Sequence, residues 1–505
     1  MAGLKMATCA CALDVTRLEP CVLVVFGASG DLTSRKLVPA LFTLFCQGSL
    51  PQRFVVVGTS RTRMSDAEFR ESLRRSREGF DPKKFERWTE FAADIFYVPV
   101  DYDSEESFRN LARALTAIET SSQTGGNRIF YLATPPAMYA PIGRHLGQAG
   151  LAAEPNLSGG WARLVVEKPF GRDLESAVEL DAVLHESFAE SQMFRIDHYL
   201  AKETVQNVLM LRFANSIFEP VWNRNHIDYV GIMAAEELGV EHRAGYYDQA
   251  GVVRDMFQNH MMQLLALTGM EPPALLSADR VRSEKSKVFR ALKPLDEQSM
   301  ATSVILGQYG LGRIRGLEVP AYRQEPGVAP GSCTPTFAMT RLFIDNWRWR
   351  GVPFYLVSGK RLREKRTKIV IQFKEVPHSM FTGVLAENIT ANRLNIGIYP
   401  QEKISLRFEA KGQGAKLCLS SVNMEYCYPA DSEVSFDSYG KVLHDCILGD
   451  HMLFWDQSGI ELSWAFLDPV SARAGCIEAG RLLQTYEAGS WGPEQAWPWM
   501  KLLLD

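Results

Sequence analysis

The chain has 505 residues, of which 46% are hydrophobic and 23% are charged, and its formal net charge is −4. This length exceeds that of a typical single domain, so we expect two domains. The basic residues are dispersed along the sequence, which argues against nucleic acid as a partner. No apolar stretch approaches the roughly 18 to 20 residues that a membrane span needs, so no membrane partner is expected.

The nine cysteines are scattered and form no C-x-x-C pair. This usage is typical of reduced thiols, predicts a cytoplasmic location and argues against a structural zinc or other metal site. Residues 1–19 lack the layout of a secretory signal. We predict that they form a disordered tail, with an organelle-targeting role as the alternative.

The first structured stretch combines a strand, a glycine turn and a helix. Cys21–Phe26 is a continuous apolar run, typical of a strand buried on both faces. It leads into the turn Gly27-Ala28-Ser29-Gly30-Asp31-Leu32, after which leucines at helical spacing begin. Glycines in this context let backbone N–H groups approach a pyrophosphate, so the turn predicts a dinucleotide site. Its G-x-x-G spacing is also compatible with a plain tight turn.

The next apolar strand, residues 54–57, ends at Gly58-Thr59-Ser60-Arg61. In a dinucleotide-binding fold this end lies beside the adenosine ribose, where an acid binds the 2′-hydroxyl of NAD and an arginine suits the 2′-phosphate of NADP. No acid occurs at 58–61, so Arg61 favours NADP, although a solvated surface arginine is the alternative.

Further predicted strands at 95–100, 128–132 and 164–166 alternate with helices at 105–119 and 174–185. This alternation predicts a Rossmann-like α/β domain with a doubly wound parallel sheet, in which ligands bind beyond the carboxyl ends of the strands. The segments expected at that rim are Gly27 to Gly30, Arg61, Pro135 with its two neighbours, Lys168 and residues 197–202.

Lys168 precedes a proline, so its backbone is biased to an extended shape and the peptide bond that follows could be cis. Fixed at the rim, this lysine could bridge substrate and cofactor. A solvated loop lysine is the alternative.

Residues 195–203 read R-I-D-H-Y-L-A-K-E and run into a helical pattern. On a helix at about 100° per residue, His198, Tyr199 and Lys202 would share an arc roughly 100° wide. At a helix N-terminus this arc suits a phosphate monoester, while Asp197 could face a histidine from another segment. An ordinary amphipathic helix start would also explain the run.

A strand is predicted at 226–236 and a strongly helical pattern at 252–267, which contains Asp255 and His260. The two residues are five apart, hence about 140° apart on a regular α-helix, and they can face one cleft only by straddling it. A buried histidine with satisfied hydrogen bonds is the alternative for His260.

The rest of the chain predicts a second, α+β domain with a mainly antiparallel sheet, from strand-like runs at 336–345, 353–357, 368–373, 394–399 and 404–410. Helices are predicted at 439–448 and 472–487. The predicted domains are 20–198 for the cofactor and 199–505 for substrate and oligomerisation. A sheet face without covering helices is a plausible oligomer interface.

These residues together allow the oxidation of an alcohol by a nicotinamide cofactor. His260 is the candidate base, and Asp197 would fix its tautomer and stabilise the imidazolium. The remaining candidates are His198, Tyr199 and Lys202 for a phosphate, and Glu236 and Asp255 for sugar hydroxyls.

Several motifs resemble those of glucose-6-phosphate dehydrogenases, in the same order and from about residue 20 to about residue 493. They are the turn at 27–32, EKPFG at 167–171, RIDHYLAKE at 195–203, RDMFQNH at 254–260, FIDNWRW at 343–349, GVPFYL at 351–356 and GSWGP at 489–493.

This resemblance implies oxidation of glucose 6-phosphate at C1 to 6-phosphogluconolactone with NADP, the first step of the oxidative pentose phosphate pathway. It implies His260 as base, Asp197 as its partner, and Lys168 between substrate and nicotinamide. It adds Lys360 and Lys365 as substrate contacts and a homodimer or homotetramer formed through the C-terminal sheet.

The sequence departs from the family pattern at Ala201, Glu237, Val357, Ser358 and Lys365, where the family usually has glycine, proline, arginine, threonine and, in some members, arginine. None of these changes removes a proposed catalytic group. The alternatives left open are a preference for NAD, a different sugar phosphate, and a catalytically silent relative that acts as a binding partner. A second, structural NADP held by Arg366 and Arg393 is also open.

Overall fold

The computed structural model describes residues 18–75, 82–154, 160–197, 199–381, 389–413, 418–428, 437–475 and 483–504. The predicted tail at 1–19 therefore lies almost wholly outside the described residues, as does His198. None of the described helices is both long and apolar enough to cross a bilayer.

The N-terminal part is built on a six-stranded parallel sheet with the order β3-β2-β1-β4-β5-β6. This order is that of the doubly wound dinucleotide-binding fold, and it confirms the predicted Rossmann-like architecture. The strands are β1 Cys21–Phe26, β2 Phe54–Thr59, β3 Ile95–Tyr97, β4 Arg128–Leu132, β5 Ala162–Val166 and β6 Met193–Arg195.

Strand β1 is fully buried because helices cover both faces of this sheet. Val22, Val24 and Phe26 pack into one apolar cluster, and Cys21 and Leu23 pack into the cluster on the opposite face. The helices are α1 Val38–Cys46, α2 Asp66–Arg75, α3 Pro82–Ala93, α4 Glu105–Ser122, α5 Tyr139–Gln148 and α6 Leu174–His185.

Local capping fixes where α6 begins and hence where the preceding loop with Lys168 ends. The Asp173 carboxylate accepts a hydrogen bond from the Ser176 backbone N–H at 2.9 Å, and the Ser176 hydroxyl bonds back to the Asp173 N–H at 3.2 Å. Such a reciprocal capping box satisfies two donors that a helix start leaves free.

The second part contains a nine-stranded sheet with the order β16-β15-β14-β13-β7-β12-β11-β8-β17. Only the β7–β12 and β8–β17 neighbours run parallel, so the prediction of a mainly antiparallel sheet is confirmed. Its strands are β7 Ile227–Ala235, β8 Val304–Gly310, β11 Phe337–Phe343, β12 Pro353–Gly359, β13 Arg366–Phe373, β14 Arg393–Tyr399, β15 Lys403–Lys411, β16 Leu419–Cys427 and β17 Leu483–Glu487. A separate hairpin pairs β9 Gly312–Ile314 with β10 Leu317–Val319.

Helices of the second part pack on both faces of this sheet and join it to the first part. They are α7 Glu203–Phe213, α8 Ala244–Val252, α9 Met262–Gly269, α10 Ala278–Arg290, α11 Glu297–Ser303, α12 Ser438–Leu448, α13 Gln457–Gly475 and α14 Trp497–Leu504, with a π-helix at Val253–Met261 between α8 and α9. One continuous apolar cluster links β1, α9 and β7, so the two parts share a core.

Two predictions about local structure are wrong. The segment 472–487 is not one helix, since α13 ends at Gly475 and residues 483–487 form β17. Residues 199–202 form a turn rather than the first turn of a helix, because α7 begins only at Glu203 with Lys202 at its N-cap position. Tyr199 and Lys202 therefore do not share the predicted helical face, and His198 lies outside the described residues.

Candidate active site

A buried histidine–aspartate pair lies at the junction of the two parts. His260 Nδ1 is 2.6 Å from Asp197 Oδ1, and the two residues are 1% and 2% exposed. Asp197 follows β6 at the carboxyl edge of the parallel sheet, while His260 comes from the π-helix. A carboxylate at Nδ1 fixes the ring tautomer with the proton on Nδ1, which leaves the Nε2 lone pair available.

The π-helix determines which residues lie on the same helical face as His260. Its hydrogen bonds join residues five apart, so Asp255 and His260 fall on the same face. On a regular α-helix they would be about 140° apart, and the expectation that they straddle the cleft is therefore wrong.

Lys168 contacts both members of this face. Its Nζ lies 2.9 Å from His260 Nε2 and 3.7 Å from Asp255 Oδ1. The Lys168–Pro169 peptide bond is cis, as the sequence allowed. The three groups form a chain from Asp197 through His260 to Lys168, with Asp255 beside it.

Burial and neighbouring charges shift the titration of this cluster. Burial lowers the pKa of His260, and the Lys168 ammonium lowers it further against the opposing effect of Asp197. Burial alone would raise the pKa of Asp255, but the charges of Lys168 and Arg243 outweigh it and leave the pKa lowered. The imidazole is therefore neutral and Asp255 is ionised near neutral pH, which suits a proton acceptor beside a hydrogen-bond acceptor.

Tyr199 and Lys202 lie next to this cluster, in the turn that precedes α7. The Tyr199 ring stacks on the His260 imidazole with centroids 3.9 Å apart, and the Lys202 ammonium lies 4.6 Å from the Tyr199 centroid. Burial lowers the pKa of Lys202, and the nearby charge of Lys365 lowers it further. Two mutually repelling ammonium groups near the start of a helix suit a bound dianion.

The carboxyl ends of two parallel strands of the large sheet supply a further polar pair. Glu236 follows β7 and Lys360 follows β12, and Lys360 Nζ is 2.7 Å from Glu236 Oε2. Lys360 is 6% exposed, and its ammonium also lies 4.9 Å from the Tyr247 ring centroid. The charge of Lys360 also contributes to the lowered pKa of Asp255, after those of Lys168 and Arg243, so this pair lies close to the π-helix.

The glycine turn lies at the carboxyl end of β1. Gly27 has φ +81°, and a Cβ there would lie 2.3 Å from the Ala133 carbonyl oxygen, so only glycine fits. Its N–H and that of Ala28 are each 3.0 Å from the Thr59 carbonyl oxygen. These two donors are therefore engaged with β2, and donors for a pyrophosphate begin at Ser29.

The other predicted cofactor residues line the same edge. Ser29, Asp31, Arg61 and Pro135 are exposed, and Gly30 and Leu32 are half-buried. They follow β1, β2 and β4, whose carboxyl ends point the same way. The structure brings these residues to one rim, next to Lys168 at the end of β5.

Two sequence models of one family match the chain. The one described as "Glucose-6-phosphate dehydrogenase, NAD binding domain" matches residues 24–207, and "Glucose-6-phosphate dehydrogenase, C-terminal domain" matches residues 209–502. The chain belongs to the glucose-6-phosphate dehydrogenase family. It is therefore an oxidoreductase, and NADP is consistent with its nucleotide-binding domain.

Curated relatives and solved structures agree with this membership. The chain is 44% identical over 482 residues to "Glucose-6-phosphate 1-dehydrogenase" of Aggregatibacter actinomycetemcomitans, covering 95% of each chain. It is 42% identical to the Bacillus subtilis protein of the same name, covering 94% of this chain and 95% of that one. A solved structure described as "Glucose-6-phosphate dehydrogenase in complex with its substrate glucose-6-phosphate" matches with a TM-score of 0.87 and 33% identity, covering 96% of this chain and 97% of that chain.

The departures from the glucose-6-phosphate dehydrogenase motifs are accommodated locally. Glu237 forms an ion pair with Arg315 at 2.7 Å. Val357 and Ser358 are buried within β12, where the Ser358 hydroxyl donates to the Ala234 carbonyl oxygen at 2.8 Å. Ala201 is buried in the turn before α7. None of these residues displaces a member of the Asp197–His260–Lys168 chain.

Sequence reasoning missed several residues that shape the site. Arg243 lies 3.5 Å from Asp255 Oδ1, and Tyr247 contacts Lys360. Thr367 hydrogen-bonds the Tyr199 hydroxyl. No local pattern marks these contacts, because each joins segments distant in sequence.

One group of three potential metal ligands occurs among the described residues, at Asp181, His185 and Glu190. Arg195 already bonds both carboxylates through its guanidinium. The group is therefore an ion-pair network that supports β6, apart from the candidate active site.

Proposed function

We propose that this chain oxidises β-D-glucose 6-phosphate at C1 to 6-phosphogluconolactone, with His260 as the base and NADP as the hydride acceptor. The observation that carries this assignment is the chain of contacts from Asp197 through His260 to Lys168, set between a nucleotide-binding rim and a cluster of lysines. Residues 20–198 bind the cofactor, and residues 199–505 supply the base and most substrate contacts.

His260 Nε2 accepts the proton of the C1 hydroxyl as the C1 hydride leaves. Asp197 holds the proton on Nδ1 and stabilises the imidazolium that forms. NADP, held by the residues that follow β1, β2 and β4, would supply the hydride acceptor when bound. Because the His260 pKa is lowered, the neutral base is present at neutral pH without prior deprotonation.

Lys168 exchanges its hydrogen bond with His260 for one with the substrate, lying between the sugar and the nicotinamide. Its ammonium is half-buried and fixed by Asp255, so it needs only a small displacement to free Nε2. Asp255 and Glu236 then accept hydrogen bonds from sugar hydroxyls.

The phosphate of the substrate binds at the start of α7. Lys202 and Lys365 supply two positive charges, and His198 and Tyr199 supply hydrogen-bond donors. Burial and then the charge of Lys365 lower the Lys202 pKa, and a dianion between the two ammonium groups relieves their repulsion. This favours a phosphorylated sugar over a neutral one.

The cofactor binds along the rim formed by Gly27, Ala28, Ser29, Gly30, Asp31, Leu32, Arg61, Pro135 and Lys168. Apart from the Gly30 N–H, which donates to the Gly27 carbonyl oxygen at 2.9 Å, the N–H groups from Ser29 onward at the helix start meet the pyrophosphate. Arg61 is exposed beyond β2 with no acid beside it at 58–60, which suits the 2′-phosphate of NADP.

The reaction is the first step of the oxidative pentose phosphate pathway, and we place the protein in the cytoplasm. Cys21, Cys46, Cys333, Cys418, Cys427 and Cys446 are free thiols, which suits a reducing compartment. The exposed edge strand β16 supports a homodimer or homotetramer formed through the large sheet.

The decisive experiment follows NADPH formation from glucose 6-phosphate in wild type and His260→Asn. We expect kcat to fall by about 10³-fold or more in the variant, because a general base supplies roughly 10²- to 10⁴-fold and the buried chain of contacts is also broken. NADP binding, measured by fluorescence quenching, serves as the control and should persist. Retention of most of the wild-type kcat would overturn the base assignment.

A further inference from the structure

The contact between Tyr199 and His260 is closer and better aligned than phosphate binding requires. The two rings stack with centroids 3.9 Å apart and an interplanar angle of 18°. A phosphate ligand needs only the phenol hydroxyl, which lies at the far end of the ring. Phosphate binding therefore does not account for the stacking of the Tyr199 ring face on His260.

The Tyr199 ring is anchored at both ends. Its backbone N–H donates to Asp197 Oδ1 at 3.0 Å, the same oxygen that lies 2.6 Å from His260 Nδ1. Its hydroxyl is hydrogen-bonded by Thr367 of β13, which is 3% exposed. One carboxylate oxygen thus sets the positions of both the imidazole and the ring that covers it.

Protonated His260 would meet an unfavourable neighbour at one end. Its Nε2 faces the Lys168 ammonium, whereas Asp197 at Nδ1 and Asp255 nearby supply negative charge. The negative face of an aromatic ring attracts a cation within about 6 Å of its centroid. The Tyr199 ring face, with its centroid 3.9 Å from that of the imidazole, adds a contact that favours the imidazolium.

We propose that the Tyr199 ring is a positioning group for His260, which holds the imidazole plane and stabilises the imidazolium formed in the reaction. This inference rests on the proposed role of His260 as the base. The ring acts through His260, and it does so whether or not the substrate carries a phosphate.

Free glucose separates this role from phosphate binding, because it offers the C1 hydroxyl without the phosphate. Tyr199→Leu removes the ring, and Tyr199→Phe keeps the ring but removes the hydroxyl. With free glucose we expect kcat/KM to fall about three- to tenfold in the leucine variant and to fall less in the phenylalanine variant, which keeps the ring face but loses the Thr367 contact.

The pH profile with glucose 6-phosphate gives a second readout and decides alone where the glucose rates are too slow to measure. Loss of the ring disfavours the imidazolium, so the acidic limb of kcat/KM should move to lower pH by about half a pH unit in Tyr199→Leu. It should stay in place in Tyr199→Phe. Thermal unfolding of both variants checks that they are folded.

Three outcomes overturn the inference while leaving the proposed function intact. The first is that kcat/KM of Tyr199→Leu with free glucose equals that of wild type. The second is that the acidic limb of its pH profile stays in place. The third is that both variants lose the same activity with free glucose, which would assign the effect to the hydroxyl. Failure of wild type to oxidise glucose 6-phosphate would instead overturn the proposed function itself.

Discussion

At the scale of single residues, three side chains from separate segments make one chain of contacts, from Asp197 to His260 at 2.6 Å and from His260 to Lys168 at 2.9 Å. The residue types at 197–202 indicated an acid, an imidazole and an ammonium close together along the chain. The contact between Asp197 and His260 joins positions 63 apart, and no local pattern gives that distance. The Tyr199 stack was likewise hidden, because it depends on a turn where a helix was predicted.

Replacing Lys202 by methionine should weaken substrate binding with little effect on the chemical step. Loss of one charge-assisted contact to a dianion costs roughly 1.5 to 3 kcal/mol, so KM for glucose 6-phosphate should rise about 10- to 100-fold with kcat nearly unchanged. Steady-state kinetics at constant ionic strength measure this. Lys36→Met, at an exposed position on the turn before α1, is the matched control.

The lowered pKa of His260 sets the expected pH dependence. The neutral imidazole is the active form, so activity is lost as pH falls through the His260 pKa. Because that pKa lies below the ordinary histidine value of about 6.5, the acidic limb of kcat/KM should fall below pH 6.5. A limb above that value would show that the imidazolium, rather than the neutral ring, is favoured by the site.

At the scale of elements, the βα turn at Gly27 was predicted from the sequence. The structure adds the reason why residue 27 must be glycine, since a Cβ there would collide with the Ala133 backbone. Gly27 and Gly48 both have positive φ, at +81° and +68°, but only at Gly27 would a Cβ meet backbone. Comparing alanine variants at these two positions therefore separates the cost of a left-handed backbone conformation from the cost of a steric clash.

Gly27→Ala should abolish NADP binding, or it should lower the free energy of unfolding by more than Gly48→Ala does. Both changes incur the cost of a left-handed residue, about 1 kcal/mol, but a Cβ 2.3 Å from the Ala133 oxygen also forces the turn to move. NADP titration and thermal unfolding of the two variants measure the difference. Equal effects would mean that the turn has room to relax.

Arg212 of α7 binds the carboxyl end of α9, the helix that follows the π-helix carrying His260. It is fully buried and donates to the carbonyl oxygens of Leu267, Thr268 and Met270 at 3.1, 3.1 and 2.8 Å. These carbonyls lie at the carboxyl end of α9, where helical partners run out, and the Thr268 oxygen also accepts from the Trp222 indole N–H at 2.9 Å. Arg212 thereby ties the helix after the Lys202 turn to the helix after His260.

Arg212→Met should lower the free energy of unfolding by about 3 kcal/mol, because it leaves buried carbonyl groups unsatisfied. The midpoint of thermal unfolding should fall accordingly. Arg113→Met, at an exposed position on α4, should change the midpoint little. Similar midpoints for the two variants would contradict the role given to Arg212.

At the scale of the whole molecule, the parallel, doubly wound character of the first sheet and the mainly antiparallel character of the second were predicted correctly from the succession of elements. The strands β6, β8, β9, β10, β16 and β17 were not predicted. The error at 472–487 arose because apolar spacing does not separate a helix from a short strand that follows it. Edge strands such as β16 also lack the regular apolar pattern of buried ones.

Strand β16 is the exposed edge of the nine-stranded sheet and carries Met424 and Tyr426, which are 62% and 47% exposed. Exposed apolar side chains on an unpaired edge favour association. Met424→Lys should therefore shift the proposed oligomer toward monomer in light scattering after gel filtration. Met380→Lys, at a position 78% exposed outside the sheet, is the control and should leave the mass unchanged.

The π-helix at Val253–Met261 has a consequence for protein engineering. A designer who transplants the Asp255–His260 pair onto an idealised α-helix cannot copy its five-residue spacing, because regular scaffolds align side chains at intervals of three or four. The transplanted carboxylate and imidazole must be placed four residues apart to converge on one lysine. Copying the sequence of this segment without its surrounding packing would keep the residue types but lose the π-helical geometry that brings Asp255 and His260 together.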